Sequence, residues 1–171
     1  YRAIMDDAFA ALAYVRGHIA DLGGDPQRVF IGGHSAGAQI VAQMALRHEA
    51  RRAAGLPDDA FRGVLPMSGS YSRRLADLEA DESLRVAADV PDSPIEIAGR
   101  AFAPFFVTWG GREKENVLRD GPAFVAALEA AGQPVEHHVF PDDDHFSIHL
   151  ATADPQNLWT RKLRQWMETL R

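Results

Sequence analysis

The chain contains no cysteine among its 171 residues. Disulfide bonds and thiolate metal sites are therefore excluded, and the composition agrees with a reducing cytoplasm without excluding an oxidising compartment. The sequence also lacks an apolar run of the roughly 20 residues that a membrane-spanning helix needs. Its first residues have neither the basic stretch nor the hydrophobic core of a secretory signal. We therefore expect a protein that works in water, most simply in the cytoplasm, and not in a membrane.

An excess of positive charge is absent as well. The 24 Asp and Glu residues outnumber the 18 Lys and Arg residues, which gives a net charge of -6, and the arginines are scattered along the chain. We therefore expect no nucleic-acid partner. The 46% of hydrophobic residues suffices for one core, so residues 1–171 are interpreted as a single domain. Because Tyr1 is followed at once by a helical pattern, we expect this domain to be the C-terminal part of a longer one.

Helix-like and strand-like segments alternate along the chain. Apolar periodicity and turn residues predict helices over 4–22, 36–49, 122–131 and 157–170 and strands over 29–31, 63–67, 105–109 and 135–140. This alternation predicts an α/β fold, with a mostly parallel sheet covered by helices on both faces. The acidic stretch 71–100, partly helical around 83–88, interrupts the rhythm, and we interpret it as a small lid above the sheet.

Residues 33–37 have the sequence Gly-His-Ser-Ala-Gly and lie between a predicted strand and a predicted helix. They match the G-x-S-x-G pattern, in which a sharp turn exposes a reactive serine. The two glycines are expected to keep strand and helix from colliding with the turn. Ser35 is thus the candidate nucleophile, and the N–H of Ala36 is the candidate oxyanion donor. The alternative is a glycine-rich turn that binds an anion at the helix N-terminus.

A catalytic serine needs a base, and the chain has seven histidines. His145 lies in a loop just after the predicted strand that ends at Phe140, at the same sheet edge as Ser35, and is the candidate base. His149 follows four residues later at metal-ligand spacing, so a zinc site is a second interpretation, although no Glu-rich partner pattern accompanies it. The remaining histidines are interpreted as structural or solvent-facing: His18, His34, His48, His137 and His138.

A third group, a carboxylate, must orient the imidazole of the base. The turn after Trp109 offers Glu113 first and Glu115 second, and Ser, Glu, His is the chain order typical of the G-x-S-x-G pattern. The aspartates at 142–144 are a weaker source, because acidic loop residues are usually solvated and their closeness to His145 makes the geometry difficult. We therefore prefer Glu113.

Together these motifs resemble the α/β-hydrolase superfamily, in its esterase/lipase and kynurenine-formamidase-like branch. The resemblance is carried by residues 31–38, 67–71, 109–113 and 144–146. It implies an α/β-hydrolase-type sheet that lacks the N-terminal strands of the family, whose His-Gly-Gly oxyanion loop precedes the nucleophile. Family members typically carry aspartate where Glu113 stands, so this position departs from the family's pattern.

The resemblance implies a serine hydrolase, a carboxylesterase or arylformamidase that cleaves a small ester or aryl formamide through an acyl-enzyme. Such chemistry needs no metal and no organic cofactor. Candidate pocket walls are His34, Tyr71, Phe102, Trp109 and Phe146. Two other functions stay open, a non-catalytic binding protein that uses the same cleft and a peptidase-like hydrolase. The sequence does not indicate an oligomeric state.

Overall fold

A four-stranded sheet lies at the centre of the structure, a computed structural model that describes residues 2–72 and 93–170. The strands are β1 (Phe30–His34), β2 (Gly63–Met67), β3 (Phe105–Arg112) and β4 (Val135–Asp144). Each strand pairs in parallel with the next, in the order β1-β2-β3-β4. The predicted parallel α/β sheet is confirmed.

Helices connect the strands and follow the last one. They are α1 (Arg2–His18), α2 (Ala36–Leu46), α3 (His48–Ala53), α4 (Glu115–Ala130), α5 (Ser147–Ala151) and α6 (Leu158–Thr169), with 3₁₀ turns at Ile19–Leu22 and Ala98–Arg100. The single helix predicted over 36–49 is divided, because Arg47 has an extended-type backbone (φ -112°, ψ 81°). The helix predicted from Pro122 begins earlier, at Glu115, and holds Pro122 in its interior.

Both faces of β3 are buried, from Phe105 to Gly110. Phe105, Val107 and Trp109 belong to the core that α1, α2 and α4 cover. Phe106 belongs to a second core on the opposite face, where it meets Trp159 and Trp166 of α6. A strand that is apolar on both sides is typical of a parallel sheet covered on two faces.

The two strands that carry the candidate base and acid are longer than the sequence predicts. β3 continues to Arg112 and β4 to Asp144, and their register shifts between Gly110 and Arg112. The glycines allow this pairing, since a Cβ at Gly110 would lie 2.3 Å from the Asp143 carbonyl oxygen and one at Gly111 2.6 Å from the Cα of Pro141. Residues 141–144, predicted as loop, therefore belong to the sheet.

Most of the lid predicted over 71–100 lies outside the described residues, including its helical part at 83–88. The described remainder consists of Tyr71, Ser72 and the turn leading into the 3₁₀ helix at Ala98–Arg100. In residues 2–72 and 93–170, no helix combines the length and the apolar character that a membrane span requires.

Candidate active site

Ser35 lies directly after β1, at the carboxyl edge of the sheet. Its N–H donates to the Met67 carbonyl at 2.9 Å, so the neighbouring strand fixes the turn. The serine has φ 57° and ψ -115°, a conformation that residues with a side chain rarely adopt. Such strain costs on the order of 1–3 kcal/mol and is typical of functional turns. α2 begins at the next residue, Ala36, whose N–H is one of the four at a helix start without an intrahelical acceptor.

The two glycines of the motif differ in what they do. A Cβ at Gly33 would lie 2.3 Å from the carbonyl oxygen of Gly37, a distance that no packed structure accommodates. In the described part of the chain, a Cβ at Gly37 would meet no atom within 4 Å. Close approach of strand and helix therefore requires glycine only at position 33, so the steric role predicted for Gly37 is wrong.

We expect Gly33→Ala and Gly37→Ala to change stability in opposite directions. The first forces the strand and α2 apart and should lower the free energy of unfolding by about 3 kcal/mol, the upper end of ordinary overpacking. The second places alanine in the first turn of a helix and should raise it by at most about 1 kcal/mol. Urea unfolding followed by circular dichroism measures both, and equal losses in the two variants would contradict the steric argument.

The structure brings Ser35, His145 and Glu113 into one hydrogen-bonded chain. His145 Nε2 lies 2.9 Å from Ser35 Oγ, and His145 Nδ1 lies 2.8 Å from Glu113 Oε2. Since an ionised carboxylate only accepts, Nδ1 carries the hydrogen and Nε2 is free to accept the serine proton. The Glu113 side chain is fully buried and that of His145 is 10% exposed. This arrangement meets the geometric requirements of a nucleophile, a base and an orienting acid.

The other acidic candidates lie elsewhere. Glu115 is exposed in the first turn of α4. Asp144 instead shapes the turn that presents His145, because its Oδ1 accepts the N–H groups of Phe146 at 2.8 Å and Ser147 at 2.9 Å. These hydrogen bonds, that from Ser147 first, hold the pKa of Asp144 below its usual value. The Asp144 carboxylate thus holds the backbone of the turn that follows the candidate base, whereas the imidazole of His145 pairs with Glu113.

His34, the residue before the serine, reaches across to the base. Its Nε2 lies 2.7 Å from the His145 carbonyl oxygen, and its ring stacks on that of His149 with centroids 4.8 Å apart. Burial lowers the pKa of His34 by penalising the charged ring; the hydrogen bond to His145 opposes this shift, and the rings of His145 and His149 add to it. His34 is therefore partly buried and hydrogen-bonded, as expected of a structural histidine and not of a solvent-facing one, and its place in a substrate pocket stays a prediction.

Asp120 on α4 anchors the loop that follows β2, a contact that sequence reasoning missed. Its Oδ2 accepts hydrogen bonds from Ser70 Oγ and from the N–H groups of Tyr71 and Ser72, at 2.8 to 3.0 Å. Burial alone would raise the pKa of Asp120, but the hydrogen bonds from Ser72, Ser70 and Arg119 outweigh it and hold the pKa below its usual value. No sequence signal identifies this residue, because its partners lie nearly 50 positions away.

Besides His34, the other four of the five candidate pocket residues are divided between core and surface. Tyr71 and Trp109 pack in the main core, and burial raises the pKa of Tyr71 well above its usual range. Phe146 is 67% exposed and its ring centroid lies 5.4 Å from that of His145. Phe102 packs against Phe61 and helps to line a cleft of about 470 Å³ at the opposite edge of the sheet, where β2 and β3 begin.

The described residues do not support the interpretation of His145 and His149 as zinc ligands. Both ring nitrogens of His145 have hydrogen-bond partners, Ser35 and Glu113. Across residues 2–72 and 93–170, no three His, Cys, Asp or Glu side chains are grouped as they are around a bound metal ion. His149 instead stacks on His34.

The chain is similar in sequence to the carboxylesterase family and to several curated esterases. The family model of the carboxylesterase family matches residues 4–89. Carboxylesterase NlhH from Mycobacterium tuberculosis is 36% identical in an alignment that covers 91% of this chain and 54% of the relative. Across the curated relatives that it matches, the chain spans 37% to 54% of their length.

Solved structures share the fold at lower identity. A carboxylesterase from Lactobacillus plantarum superposes with a TM-score of 0.71 at 16% identity, covering 96% of this chain and 66% of that one. Dipeptidyl peptidase 4 from Porphyromonas gingivalis superposes with a TM-score of 0.66 at 18% identity, covering 98% of this chain and 22% of the peptidase. These likenesses extend to the fold alone, an α/β-hydrolase-type sheet flanked by helices.

Proposed function

Because the chain belongs to the carboxylesterase family, we propose that it is a serine hydrolase that cleaves small carboxylic esters through an acyl-enzyme. The observation that carries the proposal is the hydrogen-bonded chain from Ser35 Oγ through His145 to Glu113. The strained turn at Ser35 supports it, since backbone strain of this kind is retained where function requires it.

In the proposed reaction, His145 Nε2 removes the hydroxyl proton of Ser35 as Oγ attacks the ester carbonyl carbon. The Ala36 N–H, at the positive end of α2, donates to the oxyanion that forms. Collapse of the tetrahedral intermediate breaks the bond to the alcohol oxygen, which takes its proton from His145. The same histidine then activates water, which releases the acid and restores Ser35. Glu113 stabilises the imidazolium during both steps. No metal or organic cofactor enters this sequence.

The surface beside His145 favours a substrate with an apolar group. Phe146 and Leu150 are one helical turn apart and are 67% and 70% exposed. The exposed ring of Phe146 beside the candidate base, together with Leu150 one turn further along, provides a contact surface for the acyl or alcohol part of an ester. An aryl formamide presents a similar carbonyl and an aromatic ring that Phe146 could contact, which makes it the second candidate substrate.

Reaction with a fluorophosphonate probe tests the proposal. We expect covalent labelling of Ser35, located by peptide mass spectrometry, because the probe phosphonylates a serine that its base has activated, with loss of fluoride. Labelling should disappear in His145→Ala and persist in His138→Ala. His138 is a suitable control because its ring pairs with Glu136 on the same strand and not with Ser35. A native protein that binds ester-like ligands and leaves the probe unreacted would favour the non-catalytic function instead.

A further inference from the structure

His34 connects the two segments that form the candidate active site. It ends β1 directly before Ser35, and its side chain contacts the segment after β4 that carries His145. The distance from His34 Nε2 to the His145 carbonyl oxygen is 2.7 Å, and the two ring centroids lie 4.6 Å apart. The nucleophile turn and the base therefore share one side-chain contact in addition to the bond between Ser35 and His145.

The chemistry of this contact determines the form of the His34 ring. A backbone carbonyl only accepts hydrogen bonds, so Nε2 of His34 must carry the hydrogen. A ring that is neutral and protonated at Nε2 satisfies the contact without adding charge. That matters because the adjacent His145 must itself become positively charged when it takes the serine proton.

The stack with His149 fixes the plane of the His34 ring. The two rings are 16° from parallel, with centroids 4.8 Å apart. His149 belongs to α5, the short helix that begins two residues after His145. The His34 ring is thus held between the backbone of His145 and the side chain of His149, and its N–H is aimed at a single acceptor.

We propose that His34 is a positioning residue for the general base: its Nε2–H holds the His145 carbonyl and so keeps the His145 imidazole directed at Ser35. The inference rests on the proposed roles of Ser35 and His145. Small displacements of a catalytic group reduce the rate of the chemical step, while substrate binding is little affected. In this role His34 acts through the backbone of His145, whose carbonyl oxygen it holds.

Two substitutions separate the hydrogen bond from the shape of the ring. His34→Phe keeps a planar ring for the stack and loses the donor, whereas His34→Gln places an amide N–H near the position of Nε2. With p-nitrophenyl acetate as substrate, we expect kcat of His34→Phe to fall roughly fivefold to tenfold, which is the rate equivalent of one net hydrogen bond. KM should change less than about twofold. His34→Gln should recover most of the loss, and His138→Phe, a control on β4, should leave kcat unchanged.

A measurement that does not depend on activity completes the test. Long-range ¹H–¹⁵N correlation of the imidazole rings, with His34 assigned from the spectrum of His34→Gln, reports which nitrogen carries the hydrogen. We expect the Nε2–H form near neutral pH. The Nδ1–H form, or equal losses of kcat in the Gln and Phe variants, would overturn the proposal. If the native protein hydrolyses no ester and Ser35 is not labelled, the proposed function fails, and the tautomer still decides whether His34 holds His145.

Discussion

If Ser35 is the nucleophile as proposed, Ser35→Ala should reduce ester hydrolysis on the order of 10⁶-fold in kcat, the effect that removal of the nucleophile has in a well-studied serine protease. The loss follows from the chemistry, because no other hydroxyl is hydrogen-bonded to His145 among the described residues. Alanine keeps a Cβ at the strained backbone position, so the strain of the turn, and hence the free energy of unfolding, should change little. Steady-state kinetics on p-nitrophenyl acetate and a thermal unfolding curve measure the two effects separately.

Ser68→Ala is the matched control for this experiment. Ser68 follows β2 as Ser35 follows β1, and it also has a positive φ, 54°. Its hydroxyl is buried and has no hydrogen-bond partner within the described residues. Removal of a buried, unsatisfied hydroxyl is neutral or mildly stabilising, so this variant should keep its activity. Comparable losses in the two alanine variants would show that the serine turn acts through structure and not as a nucleophile.

Glu113→Gln should reduce kcat on the order of 10³–10⁴-fold, the effect of replacing the acid by an amide in comparable triads. Because an amide can donate as well as accept, it no longer holds the hydrogen of His145 on Nδ1 and so no longer keeps Nε2 free to accept the serine proton. The neutral amide also does not stabilise the imidazolium. Both changes act on the chemical step, so KM should change far less than kcat. Kinetics with p-nitrophenyl acetate across the pH range measure the loss.

Glu115→Gln distinguishes the two glutamates of the turn. Glu115 is exposed at the start of α4, whereas the Glu113 carboxylate is buried against His145. We expect the Glu115 variant to keep activity within about twofold, since isolated surface charges contribute little. A larger loss in Glu115→Gln than in Glu113→Gln would contradict the assignment of the orienting role to Glu113 and would assign that role to Glu115.

The strand positions could largely be predicted from the sequence, and their ends could not. The apolar runs at 63–67 and 105–109 are sufficient by themselves to indicate strands. The continuation of β4 through residues 141–144 has the composition of a loop, with a proline and three aspartates. It pairs with β3 because Gly110 and Gly111 allow close backbone approach, a tertiary cause that local patterns do not contain.

The helices illustrate the same limit. The apolar pattern predicts a helix that starts at Pro122. In the structure this proline lies within α4, beyond a full turn that begins at Glu115. The helix tolerates it because Asp120 and Val117 are buried against the sheet and its loops, so tertiary contacts compensate for one missing backbone hydrogen bond.

The candidate site was predictable where chemistry fixes the spacing along the chain. The Gly-His-Ser-Ala-Gly turn identifies Ser35, the sheet-edge argument indicates His145, and the chain order favours Glu113. What local sequence could not indicate were contacts between distant segments: His34 with the His145 carbonyl, and Asp120 with the Ser70–Ser72 loop. Each depends on how strands are placed side by side, which a single sequence specifies only through the complete fold.

The separation of these residues along the chain gives the site a use as a folding reporter. Ser35 and His145 are 110 positions apart and sit at the ends of the two outermost strands of the described sheet. Their side chains meet only in molecules where β4 has joined β3 and the whole sheet is in register. The fraction of Ser35 that reacts with a covalent probe would therefore count natively assembled chains in a refolding mixture, where circular dichroism counts any helix that has formed.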